Sequence, residues 1–235
     1  MSRKTSLFAG LLVAAASTFA LGASAQGGLP VKGGNWAGMV AETSGGHLLG
    51  NPKAETKLVE YMSYTCSHCA SFSRTGDAAL KMLYVPSGRM SFEIRHLVRD
   101  PVDLTAVLLT HCGEAKKFPG NHEAFMARHD SWMAKARKTT QAQRARWQFG
   151  SLGARFQAIA SDLDFYDIME GRGYSRVAAD KCLADEAKAN ALAERSRADI
   201  EAHGISGTPS FMLNGELLDG THAWEDLQPQ LDKAL

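Results

Sequence analysis

Lys57-Leu-Val-Glu-Tyr-Met-Ser-Tyr-Thr-Cys-Ser-His-Cys69 carries the decision about the fold. Its first part, to Tyr64, is short, apolar and partly β-branched or aromatic, which predicts a buried strand. From Ser67 onward Phe72, Ala79, Leu80 and Leu83 recur at near-helical spacing until Pro86-Ser-Gly88 stops the run. A Cys-x-x-Cys pair therefore stands where a strand hands over to a helix. There Cys66 meets the unpaired N–H groups and the positive dipole end of the helix, which favour a thiolate. His68, between the cysteines, adds a second donor or a positive charge. Both effects stabilise the reduced form. A Cys66 pKa of roughly 4 in place of ~8.5 would do so by about 4 kcal/mol at pH 7, or about 90 mV of redox potential.

Glu60 lies within the strand, six positions before Cys66. It reads either as an ordinary outward-facing carboxylate or as a partly buried acid near Cys69, with a raised pKa, able to take its proton during exchange.

Working outward, Met90-Ser-Phe-Glu-Ile-Arg-His-Leu-Val98 alternates as a strand does, so the unit around the cysteines reads strand, helix, strand. Asp100-Pro-Val-Asp103 offers an N-cap, a proline at the first helical position and an acid in the first turn. Helical periodicity then continues almost to Gly204, with interruptions at Phe118-Pro-Gly120, Gly150 to Gly153 and Gly171-Arg-Gly173. Mixed structure returns with a strand over Ser210–Leu213, a turn at Asn214-Gly215 and a partner strand over Glu216–Leu218. A final helix includes Leu227, Leu231 and Leu235, with Pro229 placed in its first turn.

Ahead of this unit, residues 26–46 carry three Gly-Gly pairs and few apolar anchors, which predicts a flexible lead-in over 26–45. Residues 1–25 join Arg3 and Lys4 to an apolar run that closes on Ala23-Ser-Ala25, the pattern of a cleaved export signal. Its removal leaves 210 of the 235 residues, and the formal charge of +1 becomes −1 without Arg3 and Lys4. Such a near-neutral chain has no general bias toward nucleic acid or anionic membrane.

All four cysteines lie beyond the signal. A zinc site would need four ligands, and no second Cys-x-x-Cys or close His pair completes one. A purely structural Cys66–Cys69 disulfide would close little chain. Redox chemistry is favoured, and no metal or cofactor is expected. If Cys66 and Cys69 are the working pair, one pairing is left, Cys112 with Cys182, as a structural disulfide or as two buried free thiols. His96, His111, His122 and His129 read as packing or surface residues. Lys135-Ala-Arg-Lys138 with Arg144 and Arg146 reads as a solvated helical face.

Gly204-Ile-Ser-Gly-Thr-Pro-Ser-Phe211 places a proline directly before a strand. Taken with the strand, Cys-x-x-Cys helix, strand and long helical stretch, it resembles the DsbA-like branch of the thioredoxin superfamily over about residues 46–235. The resemblance implies an α/β thioredoxin-like fold, residues 46–102 and 204–235, with a large all-helical insertion over 103–203. It implies Cys66 as nucleophile, Cys69 as resolving cysteine and His68 in the place of the histidine of the family's Cys-Pro-His-Cys. Glu60 would be the family's buried acid, Pro209 the cis-proline facing the disulfide, and Thr208 a source of backbone hydrogen bonds to an extended substrate. Two positions depart from the pattern of DsbA. Ser67 replaces its proline, and Thr208 stands where DsbA has valine and disulfide isomerases have threonine.

The function so implied is a monomeric periplasmic thiol:disulfide oxidoreductase that donates its Cys66–Cys69 disulfide to thiol-containing exported polypeptides and is reoxidised by a DsbB-like membrane partner. A reductase or isomerase on the same fold is the first alternative. A periplasmic copper-binding protein or chaperone is the second, because two thiolates beside a histidine suit Cu(I).

Overall fold

A computed structural model describes residues 36–235. The expected export signal and the first part of the lead-in lie outside them. Strands β1 (Val40–Glu42), β2 (Gly46–Gly50), β3 (Thr56–Met62), β4 (Met90–His96), β5 (Ser210–Leu213) and β6 (Glu216–Leu217) form one mixed sheet in the order β1-β2-β4-β3-β5-β6. β3 and β4 run parallel, joined by the crossover that starts with helix α1 (Ser67–Phe72), and the other pairings are antiparallel.

Both faces of the central strand are covered. Leu58 and Met62 belong to the main core, whereas Tyr61, with Val59 packed beside it, joins Leu97, Ile205 and Met212 in a smaller cluster. Period-two alternation therefore puts Glu60 on the same face as Leu58 and Met62, inside the main core. β4 is likewise closed on both sides. Ser91 and Glu93 are buried with Phe92 and Ile94, so the alternation expected there is of chemistry and not of exposure.

The described part of the lead-in is ordered. Val40, Ala41 and Glu42 pair with Leu49, Leu48 and His47, and Gly46 opens β2 because no Cβ fits there. A side-chain carbon at Gly46 would lie 1.8 Å from the Ile94 carbonyl oxygen. At Gly46, a glycine that reads as looseness in the sequence is thus a close approach of two strands.

Beyond Phe72 the helix widens into two π-type segments, Ser73–Asp77 and Leu80–Tyr84. The wider turns shift the helical phase. Leu80 and Val85 are buried and Leu83, expected on the apolar stripe, is 70% exposed. Gly88, with φ 74°, ends the run.

Helices α2 (Pro101–Thr110), α3 (Phe118–Ala127), α4 (His129–Arg137), α5 (Gln141–Arg146), α6 (Leu152–Asp162), α7 (Phe165–Gly171), α8 (Arg176–Leu183) and α9 (Glu186–His203) make the helical stretch. Asp100 caps α2 as its sequence demands, accepting from the Asp103 N–H at 2.9 Å. Phe118-Pro-Gly120 opens α3 instead of interrupting a helix, since a proline in the first turn removes a donor that has no partner there anyway. Gly204 closes α9 in the left-handed region with φ 63°.

The hairpin turn uses Asn214 and Gly215, both at positive φ. Helix α10 (Trp224–Ala234) differs from expectation at Pro229, which lies inside the helix and not in its first turn. Burying Leu227 and Leu231 on one face requires the helix to start at Trp224. The Gln230 amide then donates to the Asp226 carbonyl at 2.9 Å within this stretch. Among the described residues no helix is long and apolar enough to cross a membrane.

Candidate active site

β3 ends at Met62, and the chain turns through Ser63-Tyr-Thr65 into α1 with Cys66 as its N-cap residue. Asp103, in the first turn of α2, fixes that turn. Its carboxylate accepts from the Ser63 hydroxyl at 2.6 Å, the Tyr64 N–H at 2.8 Å and the Arg99 N–H at 3.0 Å. Thr65 donates to Asp100 at 3.1 Å, so both acids of the Asp-Pro-Val-Asp motif serve the approach to the cysteines as well as their own helix. In the sequence Asp103 shows only as a first-turn acid.

The antiparallel register of β5 supplies the opposite wall. Tyr61 pairs with Ser210 and Glu60 with Phe211, so the residues just before β5 fall beside the exit of β3. The Thr208-Pro209 bond is cis, and the Cys66 thiol donates to the Thr208 carbonyl at 3.1 Å. His222 donates through Nδ1 to the Pro209 carbonyl at 2.7 Å. A histidine thirteen residues downstream of that proline carries no local sequence pattern that would have flagged it.

Cys66 and Cys69 are both free thiols and both buried, while Ser67 and His68 are exposed. Cys66 is pulled down to about 5. A hydrogen bond from Cys69 outweighs the cost of burial, joined by the Thr208 side chain and by the backbone N–H groups of Cys69 and His68. The His68 contribution thus comes from its backbone. Cys69 moves the other way, pushed well up by burial, by its bond to Cys66 and by the nearby Glu60 charge. The two thiols are held apart in acidity, so the accessible sulfur is the thiolate.

Beneath them lies a buried polar chain. Glu60 is 2% exposed and its Oε2 has no hydrogen-bond partner among the described residues. Burial, followed by the Asp77 charge, raises its carboxyl well above the ordinary range, with Lys81 opposing. Burial would raise Asp77 too, yet Lys81 and His122 hold it low. Asp77 accepts from Ser73 at 3.0 Å and from His122 Nε2 at 3.0 Å, and Tyr64 reaches the other ring nitrogen of His122 at 2.9 Å. Asp77 and Lys81 form an i,i+4 pair visible in the sequence, with nitrogen and oxygen 3.5 Å apart. What the sequence could not show is that the π-turn aims Asp77 inward.

Cys112 and Cys182 lie apart from this site, with sulfurs 1.97 Å apart in a disulfide that ties the end of α2 to α8. His96, His111 and His129 are buried in packing, whereas His122, expected as a packing or surface residue, belongs to the buried polar chain.

The thioredoxin family profile matches residues 42–233. A protein-disulfide isomerase from Novosphingobium aromaticivorans superposes with a TM-score of 0.77 at 45% identity, over 81% of this chain and 97% of that one. Wolbachia pipientis alpha-DsbA1 shares the fold at a TM-score of 0.63 and 23% identity, over 79% of this chain and 88% of that one. A Rickettsia conorii protein whose name proposes a protein-disulfide oxidoreductase is 26% identical over 189 residues, 80% of this chain and 60% of that protein. The chain thus spans about three-fifths of that relative's length. With a parallel β-α-β unit, a Cys-x-x-Cys at its junction and a Thr-Pro strand across from it, the chain belongs to the thioredoxin family and has the fold of DsbA-like structures.

Proposed function

We propose that this chain acts in the periplasm as a disulfide donor to exported polypeptides. The observation that carries the reading is the placement of Cys66 as N-cap of α1, its sulfur accepting from the Cys69 side chain and, at 3.5 Å, from the Cys69 N–H, contacts that draw its pKa down to about 5. Against an ordinary thiol, a thiolate that acidic stabilises the dithiol by about 2.7 kcal/mol at pH 7, or about 60 mV. A disulfide whose reduced form is favoured gives itself away readily.

In the proposed reaction a substrate thiolate attacks Cys66 Sγ of the Cys66–Cys69 disulfide. The S–S bond breaks and its electron pair leaves on Cys69, which takes a proton from the neutral Glu60 carboxyl. A second substrate thiolate then attacks the substrate sulfur of the mixed disulfide and expels Cys66 as a thiolate. The substrate loses two electrons and the Cys66–Cys69 pair gains them. A DsbB-like membrane oxidant would return the pair to the disulfide. Thr208, whose carbonyl faces Cys66, would hold the substrate as an added strand. The copper-chaperone reading has less support, because His68 is exposed while Cys69 is fully buried, and among the described residues no three His, Cys, Asp or Glu side chains are arranged to hold a metal ion.

Equilibration with glutathione tests the reading. A potential well above the ~−270 mV of thioredoxin is expected, and a value at or below it would overturn the donor role. A second reading, disulfide isomerisation, is favoured by Thr208 and by the name of the 45% identical relative. Recovery of activity by a substrate with scrambled disulfides, with the Cys66–Cys69 pair kept reduced, distinguishes the two.

A further inference from the structure

We propose that the polypeptides this protein oxidises are recognised through acidic residues beside their reactive cysteine, bound by an arginine-lined groove that runs from Cys66 across the helical insertion. The inference rests on the oxidoreductase reading above and names its substrate class.

Three concavities join end to end. The first, about 450 Å³, contains Cys66, His68 and Thr208. The second, about 340 Å³, shares Thr65 with it and is floored by Val102, Met133 and Trp147. The third, about 230 Å³, shares Arg155 and Asp100 with the second and Arg99 with the first. An extended chain whose cysteine sits over Cys66 therefore has a continuous path, partly apolar, onto the helices.

The charge of this path is one-sided. Arg99, Arg144, Arg155 and Arg197 line it. Among the described residues none of the four is in an ion pair, which is also true of Arg89, Arg128, Arg137, Arg172 and Arg176, but only these four gather along one path beside the reactive sulfur. Arg155 donates to the Trp147 carbonyl at 2.9 Å and Arg144 to the Thr139 carbonyl at 2.8 Å, so two of them are held in place without being neutralised. The one acid along the path, Asp100, is already occupied by the N–H of Asp103 and the hydroxyl of Thr65. Guanidinium groups without carboxylates, beside an apolar floor and contiguous with a nucleophile, complement an acidic and partly apolar peptide. An anionic membrane would also attract arginines, but these line a concave path beside the reactive sulfur, a shape that suits a chain and not a flat surface.

Three dithiol peptides, equal in length and cysteine spacing and flanked by Glu, Gln or Lys, test this with the oxidised full chain. Each oxidation rate is divided by that of the same peptide with a small-molecule disulfide, which removes the effect of the flanks on the peptide's own thiols. The Glu peptide is expected to react about tenfold faster than the Lys peptide at low salt, and the ratio to fall toward one in high salt. In the R99Q/R144Q/R197Q variant, whose three positions are exposed, the ratio is expected to approach one at low salt as well. Equal rates with wild-type protein at low salt overturn the proposal while leaving the oxidase intact; failure to oxidise even the Gln peptide sinks the oxidase reading itself. Arginine-dependent binding to phosphatidylglycerol vesicles with no peptide preference would overturn it in favour of a membrane surface.

Discussion

Glu60 is an acid placed where its charge costs most, in the main core with one carboxylate oxygen unpartnered. Its folded-state pKa lies well above the ordinary 4.5, so above that value the unfolded chain ionises it and the folded chain does not. Stability is lost as pH rises from 4.5 through the folded pKa. Glu60→Gln should therefore stabilise the protein, by more at pH 8 than at pH 5 in urea unfolding, while slowing release of Cys69 in stopped-flow exchange. An equal effect at both pH values would mean that Glu60 is ionised in the fold. Cys66 gives the opposite sign. Its thiolate supports the reduced fold most at high pH, and that support is lost as pH falls through about 5. Because the His68 contribution is a backbone N–H, His68→Ala should leave the midpoint of the ultraviolet thiolate titration close to 5, contrary to the ring-based role its sequence position suggests.

At the scale of elements, the parts of the fold that follow from local chemistry were legible. The strand before Cys66, the Asp100 cap with Pro101, and the Asn214-Gly215 hairpin each depend on residues adjacent in sequence. What stayed hidden depends on partners far along the chain. β1 exists because β2 completes it, the π-turns became visible only through the exposure of Leu83, and Pro229 sits mid-helix because Leu227 and Leu231 must both be buried. Of the site, the cysteines and the Thr-Pro strand could be read directly, but Asp77, Asp103 and His222 act across separations of 13 to 45 residues. Two elements give measurable stakes. Gly46→Ala drives a methyl into the Ile94 carbonyl and should cost several kcal/mol, about 2–4, in unfolding by denaturant. The Cys112–Cys182 bridge spans 70 residues, so C112A/C182A should lower stability by about 2–4 kcal/mol. Loss of the Cys66–Cys69 activity in that variant under conditions where it remains folded would show that the bridge shapes the site as well as the scaffold.

For the molecule as a whole, pH response is set by buried titratable groups of opposing sign. His47 on β2 stacks on Phe118 with ring centroids 3.9 Å apart and meets His111 edge-on at 4.4 Å, and His111 in turn lies 5.0 Å from His96. Burial, and next the neighbouring His111, pulls His47 down to about 3, while Glu42 draws it back and Lys188 and His122 lower it further. His96 and His111 are lowered as well. These rings are neutral in the fold and take up protons on unfolding below about 6.5, so their effect is stability lost as pH falls. Asp103 acts in the other sense. Burial raises it to about 7, and the penalty of folding it neutral shrinks as pH falls toward 4. Because these groups act in opposite senses on one curve, the total stability curve is a poor test, and the difference between wild type and His47→Phe is a good one. A phenyl ring keeps the stack on Phe118 and removes the titration, and any packing change it brings is the same at every pH. Wild type should lose about 2 kcal/mol relative to the variant between pH 7 and pH 5. A constant difference would mean that His47 gains its proton without unfolding, and would shift the acid sensitivity of the fold to His96 and His111.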